Sequence, residues 1–322
     1  MSVALFTLGG TIAMSGHSGA VVTRLTGADL VAAVPELGAI GARLDVRDAQ
    51  AVPGGDLTVD QLVEVVGAAG KAVAEGAVGV VVTQGTDTLE ETAFLADLIW
   101  PHPEPLVFTG AMRNPTLAGP DGPANLLAAV RVAAAPVARE LGALVVLGDE
   151  IHAARRVRKT HSTSTAAFAS PDTGPVGHVV EGEPRVLTRP PRHRPLHPGG
   201  DPARVALHTV TLDDDAALLD GLDRTHQGLV VAGFGVGHVP SVLAPVLGGL
   251  AARIPVILTS RTGAGPVLSR TYGAIGSETD LLRRGLLGGG FLDPYKARVL
   301  LRLLLSAGAG RDEIAEAFAQ HG

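Results

Sequence analysis

Short apolar segments alternate along this chain with longer segments in which apolar residues recur at helical spacing, and this alternation restricts the possible folds. The short segments are rich in β-branched residues, as is typical of strands buried on both faces of a parallel sheet. They cover residues 3–8, 78–83, 106–109, 144–147, 205–207, 229–232 and 254–259. Amphipathic helices are predicted over residues 59–74, 89–98, 123–135, 242–252 and 296–305. The chain is therefore predicted to have an α/β fold with mainly parallel sheets.

Residues 188–202 interrupt this alternation, because they contain prolines at positions 190, 191, 195, 198 and 202 and almost no apolar residues. Proline-rich polar segments form extended connectors. We therefore expect an N-terminal α/β domain at 1–187, a linker at 188–202 and a smaller C-terminal α/β domain at 203–322. A length of 322 residues is sufficient for two buried cores.

The composition excludes several classes of function. The chain has no cysteine, so disulfides, thiolate nucleophiles and thiolate metal ligands are impossible. Its net charge of −6 argues against a nucleic-acid partner, and its apolar segments are too short to cross a membrane. The 11 histidines lack metal-ligand spacing, so we expect neither a metal nor a cofactor. Because the N-terminal residues lack the basic segment of a secretory signal, we expect a cytoplasmic protein.

Three of the predicted N-terminal strands end in loops that contain glycine, two of them with a threonine directly after it. These loops cover residues 7–11, 83–88 and 109–113. In a parallel α/β sheet the carboxyl ends of the strands meet at one edge, where ligands bind. Glycines at positions 9, 10, 85 and 110 allow backbone N–H groups to approach a substrate closely. A tetrahedral oxyanion requires such preorganised donors.

Thr11 and Thr86 each follow a glycine, so we expect their hydroxyl groups to face this edge of the sheet. A hydroxyl group needs a neighbouring base or a low-dielectric contact to act as a nucleophile near neutral pH. Asp87 offers a carboxylate, and a partly buried lysine beside it could exchange a proton with Thr86. We predict that Lys159, which precedes a hydroxyl-rich segment, is this lysine. The arginines at positions 155, 156 and 158 are interpreted as a solvent-exposed face.

Structural roles could also explain these loops. Asp87 or Thr88, with Glu90 or Glu91, fits the N-terminal cap of the helix predicted from residue 89. The glycine pair at 9–10 could be only a tight turn. Segment 233–237 contains three glycines, but their spacing does not fit a dinucleotide-binding loop. The coincidence of several glycine loops at one edge favours catalysis.

Taken together, these residues resemble the bacterial asparaginase/glutaminase family. Residues 8–13 (LGGTIA) match its first signature, and residues 83–92 (TQGTDTLEET) match its second, with Gln84 where the family often has histidine. Residues 110–113, 121–126 and 294–301 match further blocks in the same order. The resemblance spans almost the entire chain.

This resemblance implies a two-domain asparaginase-like fold and hydrolysis of the side-chain amide of an amino acid to the acid and ammonia, without a cofactor. It also implies a homodimer or homotetramer in which a neighbouring subunit completes the site. Thr11 corresponds to the acylated nucleophile, and Thr86, Lys159 and Asp87 correspond to a threonine–lysine–aspartate triad. Backbone N–H groups near the two threonines would form the oxyanion hole, and Ala111 would receive the amide nitrogen. The glycines implied in substrate binding beside the threonines are Gly10 and Gly85.

The substrate-binding loop departs from the family pattern. Gly54 and Gly55 stand before Asp56, where relatives usually present a serine and often a glutamine. The match therefore implies that Asp56 pairs with the substrate ammonium group, whereas a hydroxyl donor to the α-carboxylate is missing.

The groups that assist the first threonine also depart from the pattern. The lid at residues 14–26 has no tyrosine, although many relatives carry one there. His238 stands where an adjacent subunit often contributes an asparagine, and the segment 262–271 offers no acidic residue to complete the first triad. We offer Tyr272 as a stand-in for the missing lid tyrosine. Packing of Tyr272 at a domain interface is the alternative.

Three functions compete at this point. The leading hypothesis is an asparaginase that converts L-asparagine to L-aspartate and ammonia. A related amidase acting on another ω-amide or on a D-amino-acid amide is suggested by Gly54 and Gly55. A non-catalytic binding protein on the same fold is suggested by the missing tyrosine, but it would not need to keep both threonines with Asp87 and Lys159.

Overall fold

The computed structural model describes residues 1–15, 22–23 and 25–322. The chain divides into two compact units, Met1–Pro195 and Leu196–Gly322. The division lies inside the proline-rich segment 188–202.

The first unit is built on a large sheet. The strands described in this unit are β1 (Ser2–Thr7), β2 (Met14–Ser15), β3 (Val22–Thr23), β4 (Arg43–Asp48), β5 (Ala77–Thr83), β6 (Leu106–Thr109), β7 (Ala143–Leu147), β8 (Glu150–Ala153), β9 (Arg158–Lys159), β10 (Phe168–Ala169), β11 (Gly177–Val180) and β12 (Glu183–Val186). In the described chain the large sheet has the order β12-β11-β8-β7-β6-β5-β1-β4. Strands β4, β1, β5, β6 and β7 are parallel, and β8, β11 and β12 add antiparallel pairs. The pairs β2–β3 and β9–β10 form separate two-stranded sheets.

Helices cover the parallel part of this sheet. They are α1 (Gly27–Ala32), α2 (Val59–Ala74), α3 (Leu89–Ile99) and α4 (Gly122–Ala134). Helix α2 begins at a capping box in which the N–H of Gln61 donates to the Thr58 hydroxyl (3.2 Å) and the N–H of Thr58 donates to the Gln61 side chain (2.9 Å). Its buried residues recur at helical spacing, which explains why the sequence pattern predicts its bounds.

The second unit contains a smaller sheet that is parallel throughout its described strands. These are β13 (Val205–Thr209), β14 (Gly228–Gly233), β15 (Val256–Ser260) and β16 (Leu287–Gly288), in that order. The helices are α5 (Leu243–Ala251), α6 (Glu278–Arg283), α7 (Pro294–Ser306) and α8 (Arg311–His321). Across the described chain, no helix has both the length and the apolar character that crossing a membrane requires.

The prediction of an α/β fold with mainly parallel sheets is confirmed. The sequence pattern missed β4, because this strand lies at the edge of the large sheet and alternates charged with apolar residues (RLDVRD). It also missed the antiparallel strands β8, β11 and β12, which are only four residues long. Central strands buried on both faces were predictable, whereas short or half-exposed strands were not.

Candidate active site

Four loops of the first unit lie side by side at the carboxyl edge of the parallel strands. Strands β4, β1, β5 and β6 are consecutive neighbours in the sheet. Backbone hydrogen bonds continue the pairing past the strand ends, because the N–H of Gln84 donates to the carbonyl of Thr109 (3.0 Å) and the N–H of Val52 donates to the carbonyl of Leu8 (3.3 Å). The segment after β4 therefore lies at this edge beside the three glycine loops predicted from the sequence.

Glycines make the closest contacts among these loops. A Cβ atom on Gly10, whose φ is +84°, would lie 2.1 Å from the backbone nitrogen of Gly85. A Cβ on Gly54 would lie 3.3 Å from the carbonyl oxygen of Gly85, and one on Gly110 would lie 2.6 Å from the carbonyl oxygen of Gln84. The backbones of neighbouring loops therefore touch without intervening side chains. Gly10 thus serves both the turn and the close approach of two loops.

We expect Gly10→Ala to lower the free energy of unfolding by about 3 kcal/mol. The added methyl group would collide with backbone that cannot move aside, and alanine is disfavoured at a positive φ. Urea denaturation would measure the change. Gly55→Ala is the matched control, because a Cβ on Gly55 meets nothing within 4 Å, and we expect it to change stability by less than about 0.5 kcal/mol. Equal stability of the two variants would contradict this close packing of the loops.

Lys159 lies in contact with Thr86 and Asp87, the two residues with which it was predicted to form a triad. Its Nζ atom donates hydrogen bonds to Thr86 Oγ1 (3.0 Å) and to Asp87 Oδ1 (2.8 Å). The Lys159 side chain is 15% exposed, whereas that of Asp87 is 80% exposed. An ion pair with such an exposed partner contributes little to stability. The contact therefore orients the ammonium group rather than holding the fold together.

The alternative cap of α3 is confirmed in position, because Thr88 is the N-cap residue, but not in the side-chain hydrogen bond. Thr88 occupies the N-cap position, but its side chain makes no capping hydrogen bond. Its hydroxyl instead donates to the carbonyl oxygen of Gly54 (2.9 Å), and Asp87 accepts from Lys159. The polar groups of the loop thus link the loop to other segments.

Glu90 is a site residue that was not predicted as such from the sequence. It lies on α3, is only 7% exposed, and accepts the backbone N–H of Lys159 at 3.3 Å. Its carboxylate also lies 3.8 Å from the Nε atom of Arg158. Glu90 lies in the first turn of α3 beside Glu91, so the sequence alone did not distinguish it.

The interpretation of the nearby arginines as a solvent-exposed face is wrong. Arg155 pairs with Asp97 at 2.6 Å, and their side chains are 11% and 5% exposed. Arg158 is 18% exposed beside Glu90. These arginines neutralise carboxylates on α3, so they fix the segment that leads to Lys159.

Thr11 lies at the start of a short 3₁₀ turn, Thr11–Ala13, directly after Gly10. Ile12 and Ala13 are buried, whereas Thr11 is only partly buried. Within the described ranges, its hydroxyl group and its N–H make no hydrogen bond. Positions 16–21 and 24 of the predicted lid lie outside the described residues.

Ala111 is fully buried in a loop held by two polar residues of α4 and its cap. The Asp121 carboxylate accepts the backbone N–H groups of Met112 (3.0 Å) and Arg113 (2.8 Å). Asn125 donates to the carbonyl oxygen of Gly110 at 3.0 Å. The sequence of this segment matched the family pattern, but neither Asp121 nor Asn125 was predicted to have a role. Both residues fix the loop beside Thr86.

Gly54, Gly55 and Asp56 form a 3₁₀ turn after β4. Gly54 is buried against Gly85, whereas Gly55 and Asp56 are exposed. Because the Asp56 carboxylate is exposed, a cationic group can reach it.

Among residues 1–15, 22–23 and 25–322, His, Asp and Glu side chains form no group of three or more that could hold a metal ion.

In the second unit, His238 and Tyr272 lie together around Glu278. The buried Glu278 carboxylate accepts the backbone N–H groups of Thr271 (2.9 Å) and Tyr272 (2.7 Å). His238 Nε2 lies 3.1 Å from Glu278 Oε2, and the rings of His238 and Tyr272 meet edge to face at 4.9 Å. Tyr272 is 49% exposed. Glu278 was not predicted because it lies beyond residues 262–271 and because the segment Ser-Glu-Thr-Asp is typical of a helix start.

We expect the contribution of Glu278 to stability to disappear in acid. Burial alone would raise the pKa of Glu278, but the N–H donors of Tyr272 and Thr271, with His238, hold it below its ordinary value of 4.5. A carboxylate with a lowered folded-state pKa stabilises the fold above its unfolded pKa, and this stability is lost as the pH falls through the folded pKa. Glu278→Gln should therefore lower the free energy of unfolding by about 1–2 kcal/mol near neutral pH. In urea titrations the difference in the free energy of unfolding between Glu278→Gln and the unmodified protein should become smaller below about pH 4. A difference that stays constant at all pH values would contradict this role of the carboxylate.

Two protein-family models match most of the chain. The model described as "Asparaginase, N-terminal" matches residues 2–192, and that described as "Glutaminase/Asparaginase C-terminal domain" matches residues 204–318. A probable L-asparaginase of Deinococcus radiodurans is 38% identical over 260 residues, which cover 77% of this chain and 77% of the relative. A component of the glutamyl-tRNA(Gln) amidotransferase of Methanosarcina acetivorans is 32% identical, over 94% of this chain and 74% of its own. The crystal structure of a probable cytoplasmic L-asparaginase from Campylobacter jejuni superposes with a TM-score of 0.88 at 31% identity, over 99% of both chains.

Proposed function

Because the chain belongs to the asparaginase family, whose members include L-asparaginases, we propose that it hydrolyses the side-chain amide of L-asparagine through an acyl-enzyme on Thr11. The contact of Lys159 Nζ with both Thr86 Oγ1 (3.0 Å) and Asp87 Oδ1 (2.8 Å) carries this proposal. The contact spans 73 residues of sequence between Lys159 and Thr86. It places a hydroxyl group and an ammonium group at the edge of the sheet that also holds Thr11.

In the first half of the proposed reaction, Thr11 Oγ1 attacks the amide carbon and forms a new carbon–oxygen bond. The carbonyl oxygen becomes an oxyanion, which backbone N–H groups of the glycine loops stabilise. The carbon–nitrogen bond then breaks, and the proton of the Thr11 hydroxyl leaves with the nitrogen as ammonia. The Thr86–Lys159–Asp87 triad relays this proton.

In the second half, water attacks the acyl-enzyme and the bond to Thr11 Oγ1 breaks. The oxygen of Thr11 recovers a proton, and L-aspartate is released. The same triad orients the water and takes up its proton. Asp87 keeps the Lys159 amino group directed at Thr86 in both halves.

Binding of the substrate is assigned to the loops around these groups. Asp56 pairs with the substrate ammonium group, and the backbone at Gly10, Gly54 and Gly85 surrounds the amide. The buried Ala111 receives the amide nitrogen. Gly55, like Gly54, has no side chain, so the α-carboxylate is held by backbone groups rather than by a hydroxyl.

We further propose that the enzyme is cytoplasmic and works as a homodimer or homotetramer, with a neighbouring subunit completing the site. The exposed ring of Tyr272, next to His238 and Glu278, supports this arrangement. Light scattering would measure the mass of the assembly in solution. A monomer with full activity would exclude a contribution from a neighbouring subunit.

We expect Tyr272→Phe to lower kcat by about 10-fold to 100-fold, because it removes a hydroxyl group proposed to assist Thr11 in place of the lid tyrosine. The ring remains, so its packing against His238 is kept. Tyr295→Phe, at another half-exposed tyrosine, is the matched control and should leave kcat unchanged. Full turnover in Tyr272→Phe would favour a packing role for this residue.

A panel of amides assayed for ammonia release tests the substrate. The panel contains L-asparagine, L-glutamine, D-asparagine and a simple aliphatic amide. A strong preference for L-asparagine supports the proposal, whereas preference for another member supports a related amidase, which the glycines at 54 and 55 suggest. If the unmodified protein releases ammonia from any of these amides and Thr86→Val does not, a non-catalytic binding protein is excluded.

A further inference from the structure

Lys159 lies on a hairpin that is too small to be stable by itself. Strands β9 and β10 contain two residues each, and they pair Lys159 with Phe168 and Arg158 with Ala169. One further backbone bond, from the N–H of Thr160 to the carbonyl of Ala167 (2.7 Å), extends the hairpin. Isolated two-stranded pairs are marginal in water. The position of Lys159 therefore depends on contacts between the hairpin and the rest of the unit.

A buried histidine makes one such contact at the end of the hairpin. His152 lies in β8 of the large sheet, opposite Val145 of β7, and is fully buried. Its Nδ1 atom lies 3.0 Å from the hydroxyl oxygen of Ser170, which follows β10 directly and is 5% exposed. The bond thus ties the last residue of the hairpin segment to the rigid sheet.

The surroundings of His152 determine the charge of its ring. Its Nε2 atom lies 3.1 Å from Glu150 Oε2 but makes no hydrogen bond. Burial lowers the pKa of His152, although Glu150 acts in the opposite direction. The ring is therefore neutral near pH 7, and its Nδ1 atom shares one hydrogen bond with the Ser170 hydroxyl group, in which either group can donate.

We propose that His152 is a positioning residue for Lys159, acting through Ser170 on the β9–β10 hairpin. Ser170 is two residues beyond Phe168, the cross-strand partner of Lys159, so a shift of Ser170 moves the strand against which Lys159 lies. Glu90 holds the other strand through the N–H of Lys159. The two tethers together fix the lysine where its Nζ atom reaches Thr86 and Asp87. This inference rests on the proposed function of that triad.

Three variants separate positioning from simple packing. Ser170→Ala and His152→Gln both remove the bond, since the glutamine amide reaches the position of Nε2 rather than that of Nδ1. His152→Asn keeps a polar atom near Nδ1. A displacement of about 1 Å at a catalytic group can cost on the order of 100-fold, so we expect kcat to fall about 10-fold to 100-fold in the first two variants. His152→Asn should restore kcat to within about 3-fold of the unmodified enzyme, because the asparagine amide keeps a hydrogen-bonding partner for Ser170.

The KM for L-asparagine should change by less than about 2-fold in all three variants, because the residues assigned to substrate binding belong to other loops. Hydrogen exchange supplies a readout that does not depend on activity. The amide of Thr160, which closes the hairpin, should exchange faster in Ser170→Ala, while the amides of β7 and β8 keep their protection.

Unchanged kcat in Ser170→Ala and His152→Gln would overturn the inference. Equal kcat values in His152→Gln and His152→Asn would also overturn it. So would a rise in KM that matches the fall in kcat. An unmodified protein that is inactive on every amide would contradict the proposed function. The hydrogen-exchange rate of the Thr160 amide would then be the test of the tether between His152 and Ser170. Faster exchange of Thr160 in Ser170→Ala supports the tether, and unchanged exchange overturns it.

Discussion

Thr11→Ala should release ammonia from L-asparagine at least about a thousand times more slowly than the unmodified enzyme. Loss of the nucleophile in hydrolases that form an acyl-enzyme has effects of this order or larger. The fold should be unaffected, because Thr11 is only partly buried and its hydroxyl group makes no hydrogen bond within the described residues. A coupled ammonia assay gives the rate, and thermal unfolding checks the fold.

Two further variants sharpen the assignment of the nucleophile. Thr11→Ser keeps a hydroxyl group at the same place and should retain part of the activity. In Thr86→Val, both half-reactions should slow, and deacylation should slow more than acylation, so that quenched reactions contain an adduct on the peptide that carries Thr11. An active Thr11→Ala enzyme, or an adduct on a different peptide, would contradict the role of Thr11.

Lys159→Met should lower kcat by a similar factor of about a thousand. Methionine matches the lysine side chain as far as Cε but lacks the amino group, so it cannot hold Asp87 or exchange a proton with Thr86. Because Thr86 and Lys159 are proposed to act as one unit, Thr86→Val should cost about as much as Lys159→Met, and the double variant should cost little more than either. Initial rates at saturating L-asparagine would measure all three.

Lys159→Arg is the control for charge alone. Arginine keeps a positive charge near Asp87 but does not lose a proton in proteins. Its kcat should therefore stay close to that of Lys159→Met, although its stability should resemble that of the unmodified enzyme. Fully additive effects of Thr86→Val and Lys159→Met, or high activity in Lys159→Arg, would contradict a proton-transferring triad.

The fold and part of the site were predictable because local pattern decides them. Buried strands such as β5 (Ala77–Thr83) are uniform apolar segments in the sequence, and a glycine after such a strand places a threonine at the sheet edge. The contact of Lys159 with Thr86 depends on the path of the chain over 73 residues, and no local pattern encodes it. It could be suggested only from residue types and from the family resemblance.

The residues that were not predicted are those whose role depends on a distant partner. Glu90 has the sequence position of a surface residue in the first turn of α3, yet it is buried against the backbone of Lys159. Glu278 likewise has the position of a helix start, although its carboxylate faces the segment around Tyr272. Ionisable residues in a first turn have an ordinary local explanation, and this explanation hides their tertiary contacts.

The backbone contact of Gly10 with Gly85 has a consequence for how this enzyme can diversify. Two backbones in direct contact leave no volume for mutation, so random libraries should recover only glycine at position 10. Gly55 and Asp56 face solvent a few residues along the same edge, where insertions and larger side chains have room. Changes in substrate range should therefore arise by substitutions at exposed positions such as Gly55 and Asp56, while Gly10 and Gly85 stay unchanged because their backbones are in contact.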